Sequence, residues 1–282
     1  MPATVAGGEE PARELVIQPR SGWIAIDWRE LWNAREILAF LILRDVKVRY
    51  KQTVLGVLWA ALQPLFTMLI FTVIFGRFAK IPSEGMPYAV FVFAGLLPWT
   101  FFSNAVGQAS GSLVNQQALL TKIYLPRLFV PGAAVGGGLV DLGISGVVFL
   151  AIMAYYRIWP NWGFLAIPFL VALTAAAALG IGLALAALTI TYRDFRYVVP
   201  FMIQSWMYIS PVIYPVSVVP TRYQWLLALN PMAGIIDAFR SALLGLPWNF
   251  MTLAISSTSS LVLLAYGLFY FRKTERRFAD VA

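Results

Sequence analysis

The chain has 282 residues, 60% of them hydrophobic and only 12% charged, with a mean hydropathy of +0.75 and a formal net charge of +8. A soluble domain of this length carries about 25% charged residues, so most of this chain faces lipid or other spans. Cysteine and histidine are both absent, which excludes thiol nucleophiles, zinc sites built on Cys and His, and histidine general bases.

Residues 1–27 contain Glu9, Glu10 and Glu14 with Pro2, Pro11 and Pro19 and no apolar run, so they read as a disordered cytoplasmic arm rather than a secretory signal. From residue 28 to about 52 the pattern is helical. Trp28, Leu31, Trp32, Leu38, Ile42 and Val46 fall on one side, and Arg29, Asn33, Glu36, Arg44 and Lys47 on the other. Two tryptophans on the apolar face suit the headgroup boundary, so the helix is expected to lie along the inner leaflet; packing on a soluble partner is the alternative. The helix ends in Arg44, Lys47, Arg49 and Lys51, and no ionised side chain follows from Val54 to Phe75. Such a stretch crosses a hydrocarbon core of about 30 Å.

Six spans are predicted, at 54–75, 88–108, 128–155, 164–191, 198–215 and 253–271. The fifth is the least regular, because Pro200, Pro211 and Pro215 remove backbone donors. Between the fifth and sixth lie two pieces too short to cross, about 223–229 and 230–244. The second opens on Asn230-Pro231, an N-cap followed by proline at the first helical position. Both read as short re-entrant helices on the outer side. With this map, 16 of the 21 Lys and Arg residues fall on one side, which predicts cytoplasmic termini. Glycines are dense in the third span, where Gly132, Gly136, Gly137, Gly138, Gly143 and Gly146 make a surface for close helix packing. The fold class is therefore an all-α integral membrane protein.

Asp141 is the one carboxylate deep in a predicted span, where it needs a partner or water. A structural hydrogen bond within the bundle is favoured over a proton relay, because no second buried acid accompanies it. No G-x-x-x-x-G-K-[ST] loop occurs, so any ATP-driven step requires a separate ATPase polypeptide. Residues 113–124 form an amphipathic segment stopped before Pro126, with Asn115, Gln116, Gln117, Lys122 and Tyr124 as candidate coupling residues. Pattern alone fits a docking helix and a connector without a partner equally. Arg44, Lys47, Arg49 and Lys51 are candidate contacts for a lipid-linked phosphate, with plain topology signalling as the alternative. For a sugar chain, flat ring faces offer weak, repeatable contacts; Phe71, Phe75 and Phe78 recur at helical spacing, and Trp99, Phe101 and Phe102 cluster after the Gly95–Pro98 break. Packing against lipid is the alternative for each ring.

Several segments together resemble one family: Arg44-Asp45-Val46-Lys47-Val48-Arg49-Tyr50-Lys51, Gly95-Leu96-Leu97-Pro98-Trp99, Leu120-Thr121-Lys122-Ile123-Tyr124-Leu125-Pro126, Tyr192-Arg193-Asp194-Phe195-Arg196, Ser210-Pro211-Val212-Ile213-Tyr214-Pro215 and Leu229-Asn230-Pro231. Their order and spacing are similar to the transmembrane subunits of ABC-2 type exporters of O-antigen, teichoic acid and capsular polysaccharides. The resemblance implies an ABC-2 domain over 28–282 in the bacterial inner membrane. It implies a second copy of the chain and two ABC ATPase subunits that bind ATP and Mg, with no cofactor in this chain and no nucleic acid partner. It implies a lipid-linked polysaccharide as substrate, an interfacial first helix, a coupling helix before Pro126 and gate helices before the last span. It also implies aromatic rings of spans one, two and five along the channel, for which Phe71, Phe75, Trp99, Phe102, Tyr208 and Tyr214 are the candidates. The competing readings are an exporter of small amphipathic molecules and a membrane-embedded glycosyl- or acyltransferase. The latter would need an acid or His pair that Asp141 alone does not supply.

Overall fold

The computed structural model describes residues 28–51, 56–118 and 125–275. Among these residues the regular structure is helical, with no strand. A short helix, α1 (Trp28–Asn33), leads into α2 (Arg35–Lys51). Next come α3 (Leu58–Phe71), continued by a π-helical segment Thr72–Phe78, then α4 (Tyr88–Asn115) and α5 (Phe129–Tyr155). A 3-10 turn, Trp162–Ala166, opens α6 (Ile167–Thr191), which is followed by α7 (Phe195–Ile209). The chain ends in α8 (Thr221–Ala228), α9 (Pro231–Leu244) and α10 (Phe250–Glu275).

Among the described residues, five stretches are long and apolar enough to cross a membrane: Leu58–Phe78, Tyr88–Asn115, Phe129–Tyr155, Trp162–Thr191 and Phe250–Glu275. Over the fifth expected span the helix α7 has only 15 residues, about 22 Å at the helical rise. It stops because Ser210 precedes Pro211 and is held extended, with ψ 145°. The pair α8 and α9 passes the same test of length and composition only when taken together, and it is bent by 106°. The bend sits at Asn230. Its Oδ1 accepts from the Met232 amide at 3.0 Å and Pro231 starts the new helix, as the Asn-Pro pair predicts. Gly245, with φ +74°, closes α9 in the left-handed conformation that favours glycine.

Helix α4 is the centre of the bundle. It packs against α3, α5, α6, α7 and α9, and residues 89–99 are all buried. The outer helices show apolar side chains on their free faces, among them Phe66, Leu69 and Ile70 of α3 and Leu261 and Val262 of α10, as a lipid-facing surface requires. Helices α6 and α10 approach so closely at Gly180 and Gly267 that a methyl group on either would meet the other helix's backbone.

The glycine-dense face of α5 does receive a helix, and that helix is α2. A Cβ at Gly136 would lie 2.5 Å from Ile42, and Gly132 and Gly137 face Leu38 and Val46. The apolar stripe Leu38, Ile42 and Val46 is thus turned onto the bundle, while Phe40, Leu43 and Val48 remain exposed. The loops sort into two ends. Glu84 accepts from Ser217 at 3.0 Å, and Gly163 lies against Ala242 at one end. At the other, Arg127 donates to the Glu275 carbonyl at 2.8 Å and Arg44 to Gln116 at 2.7 Å.

Candidate functional site

The last four cations of α2 part company. Arg44, Lys47 and Lys51, at i, i+3 and i+7, share one face and line a surface groove of about 490 Å³ with Phe40, Leu43 and Val48. Within it Arg44 is paired with Asp45 at 2.7 Å and donates to Gln116. Lys47 and Lys51 are exposed. Arg49 lies three residues past Val46 on the packed face and turns inward instead. Its guanidinium donates to Asp141 and to the Gln108 side chain. Tyr50 also donates to Asp141, and its hydroxyl is pushed up to about 12 by burial and by that bond, so it stays a donor at any physiological pH. Asp141 therefore has the hydrogen-bonded, charge-neutralised environment that a carboxylate in a span requires.

This cluster forms one wall of a cavity of about 560 Å³ between α3, α4 and α5. The other walls include Trp59 and Gln63 of α3, Thr100, Asn104 and Gln108 of α4, and Ser145 of α5. A second cavity of about 470 Å³ lies across α4, between it and α7. Trp99, Ser103, Asn104 and Asn115 line it from α4, and Arg196, Ile203 and Gln204 from α7. Asn104 borders both.

The aromatic candidates do not form one surface within the subunit. Phe71 and Phe75 meet edge to face at 5.5 Å on α3 and the following π-helical turn. Trp99 is 4% exposed and Phe102 fully buried, and Phe102 packs between Trp99 and Trp206 at 5.6 and 5.5 Å. Tyr208 is 55% exposed on α7, whereas Tyr214 is half-buried and donates to the Ile209 carbonyl at 3.1 Å. Of the coupling candidates, Asn115 ends α4, Gln116 is held by Arg44, and Gln117 is exposed and helical just past the turn at Gln116. Lys122 and Tyr124 lie outside the described residues. The segment expected to start as a separate helix at 113 begins instead as the last turn of α4.

Arg240, one of the five cations that the charge count puts on the outer side, is a structural hub. It is 1% exposed in α9, stacked over Phe91 at 3.7 Å, and donates to the carbonyls of Phe91, Pro211, Val212 and Tyr214. These include the carbonyls freed where prolines break the helix after α7. A lone cation inside an apolar helix that also lacks the length to span was the signal that could have marked it.

The sequence pattern of the family described as ABC-2 type transporter matches residues 37–244. The O-antigen export system permease protein RfbA of Myxococcus xanthus is 31% identical over 215 residues, covering 76% of this chain and 82% of that protein. RfbA of Klebsiella pneumoniae is 25% identical over 250 residues, 87% of this chain and 95% of that protein. The polysialic acid transport protein KpsM of Escherichia coli is 26% identical over 237 residues, 83% of this chain and 92% of that protein. With a match spanning α2 to α9 and a bundle whose cavities are bordered by spanning helices, the chain belongs to the ABC-2 type transporter family, whose members are membrane permeases that work with ABC ATPase partners.

Proposed function

We propose that the chain is the membrane subunit of a bacterial exporter that moves a lipid-linked polysaccharide across the inner membrane, as a homodimer with two ATPase subunits. The observation that carries this reading is that relatives matched along most of their length are named for O-antigen export and polysialic acid transport. Two cavities, each with some polar side chains in a mainly apolar lining, flank the central helix α4. The cation asymmetry supports cytoplasmic termini. ATP and Mg are bound by the partner ATPase. Deleting the gene tests the reading. Lipid-linked polymer is expected to accumulate inside the cell and surface polymer to disappear, and the native chain supplied in trans is expected to reverse both. Normal surface polymer in the deletion strain would sink it.

A further inference from the structure

Helix α2 climbs the bundle. Its Leu38, Ile42 and Val46 meet Gly132, Gly136 and Gly137 of α5 in that order, and Arg49 and Tyr50 reach Asp141 beyond them. Helix α4 gives the same direction independently. Arg44 meets Gln116 just past the end of α4, and Arg49 meets Gln108, further back along it. Residues 38–49 of α2 therefore lie along residues 132–141 of α5, and the two helices run side by side in the same sense.

The far end of the bundle sets the scale. Phe93 and Phe149 stack at 5.5 Å, which brings Tyr88 and Tyr155 to one level. Tyr155, Trp159 and Trp162 are strongly exposed there, as an aromatic belt requires. Measured from that level at the helical rise, Gly132 lies about 34 Å away, outside a hydrocarbon core of about 30 Å. Gln108 lies about 30 Å away and Asp141 about 21 Å, so the head of Arg49 sits at the near edge of the core or inside it. Lys51 lies further still along the climb.

A helix flat on a leaflet keeps one depth, whereas α2 starts outside the core and ends in it. Its outward face sets Arg44, Lys47 and Lys51 among Phe40, Leu43 and Val48. Helical side chains tilt toward the N-terminus, which here is toward the near headgroups. Lysines at such a depth are accommodated by snorkelling and by headgroups and water drawn down to them, which thins the leaflet locally. We propose that α2 is an oblique wedge in the leaflet at its end of the bundle, and that Lys47 and Lys51 draw anionic bilayer headgroups below their usual plane. The lipid chains then lie on Phe40, Leu43 and Val48, continuous with the lipid-facing sides of the outer helices. Interleaved cations and apolar side chains match an anionic lipid, which presents both chemistries at one place. The inference is independent of what is exported.

The test places single spin-labelled cysteines at 40, 43 and 48, which share the outward face at i, i+3 and i+8. The full chain is reconstituted in nanodiscs, and label depth is read from collision with oxygen against a polar nickel chelate. In a background of Lys47→Gln and Lys51→Gln, which removes the pull on headgroups, depth is expected to increase from 40 to 48 by about 9 Å. Equal depths at the three positions would make the helix flat and overturn the wedge. A label at 48 shielded from both relaxants would put a second copy over this face and overturn it too. With the native lysines, and phosphatidylglycerol mixed into phosphatidylcholine, the label at 48 is expected to read several ångströms shallower than in the glutamine background. In phosphatidylcholine alone most of that difference is expected to vanish. A depth at 48 that ignores both the lysines and the anionic lipid overturns the headgroup site.

Discussion

Arg49 of α2 and Asp141 of α5, separated by 92 residues in sequence, form an ion pair that fastens the first long helix to the bundle. The side chains are 27% and 16% exposed, so the pair is mostly withdrawn from solvent. Removing one partner strands the other charge, at a cost of about 3 kcal/mol. Arg49→Gln and Asp141→Asn are each expected to lower the melting temperature of the purified protein. Arg49→Gln combined with Asp141→Asn is expected to lower it by less than the sum of the single effects. Simple additivity in that cycle would mean that the two groups do not interact.

Part of this is legible in the sequence. Asp141 stands out as a carboxylate that needs a partner, and the glycines of α5 as a packing surface. Arg49 reads there as one of four equivalent cations, although its spacing from Ile42 and Val46 puts it on the face of α2 that packs on those glycines. The rings are harder. In a membrane bundle the interior and the lipid are equally apolar, so hydropathy does not say that Trp99 points inward and Tyr208 outward. The shortness of α7 lies in the Ser210-Pro211 step, which an apolar count over 198–215 passes over.

Arg240 replaces the missing backbone donors of the proline-rich turn after α7. Arg240→Met is expected to leave the carbonyls of Pro211, Val212 and Tyr214 without that donor, at about 1–3 kcal/mol for each buried group. Arg240→Lys is expected to rescue poorly, because an ammonium lacks the planar fork that reaches several acceptors. Limited proteolysis reads the outcome: both variants are expected to be cut within 210–220 faster than the native chain. Equal cutting would show that the turn holds itself.

The two ends of the bundle predict a labelling pattern. Single cysteines can be introduced cleanly because the chain has none. In intact cells an impermeant thiol reagent is expected to label positions 84, 162 and 222 and to spare 194. Labelling at 194 without labelling at 84 would invert the orientation.

Gln116 joins the end of α4 to α2, accepting from Arg44 at 2.7 Å beside the Arg44–Asp45 pair. If the ATPase pushes on the segment that follows α4, this joint passes the motion to α2. Gln116→Ala is expected to reduce export several-fold while ATP hydrolysis by the assembled complex continues, and Gln117→Pro to do the same by breaking the helical turn at that position. Unchanged export in both would take this end of α4 out of the coupling path.

With Arg49 committed to Asp141 and Arg44 to Asp45 and Gln116, Lys47 and Lys51 are the cations left facing outward in the C-terminal half of α2. They sit in a groove whose other walls include Phe40, Leu43 and Val48, so an anionic headgroup could be held with its chain against an apolar strip. Each cation near such a surface contributes about 1 kcal/mol of attraction. Lys47→Gln together with Lys51→Gln is expected to slow export about tenfold or more when substrate is scarce, without changing insertion or melting temperature. Arg49→Gln is expected to behave in the opposite way, losing stability first. That contrast separates a headgroup contact from a structural cation within one helix. Native export by the Lys47 and Lys51 double variant would leave these two charges with only a topological role.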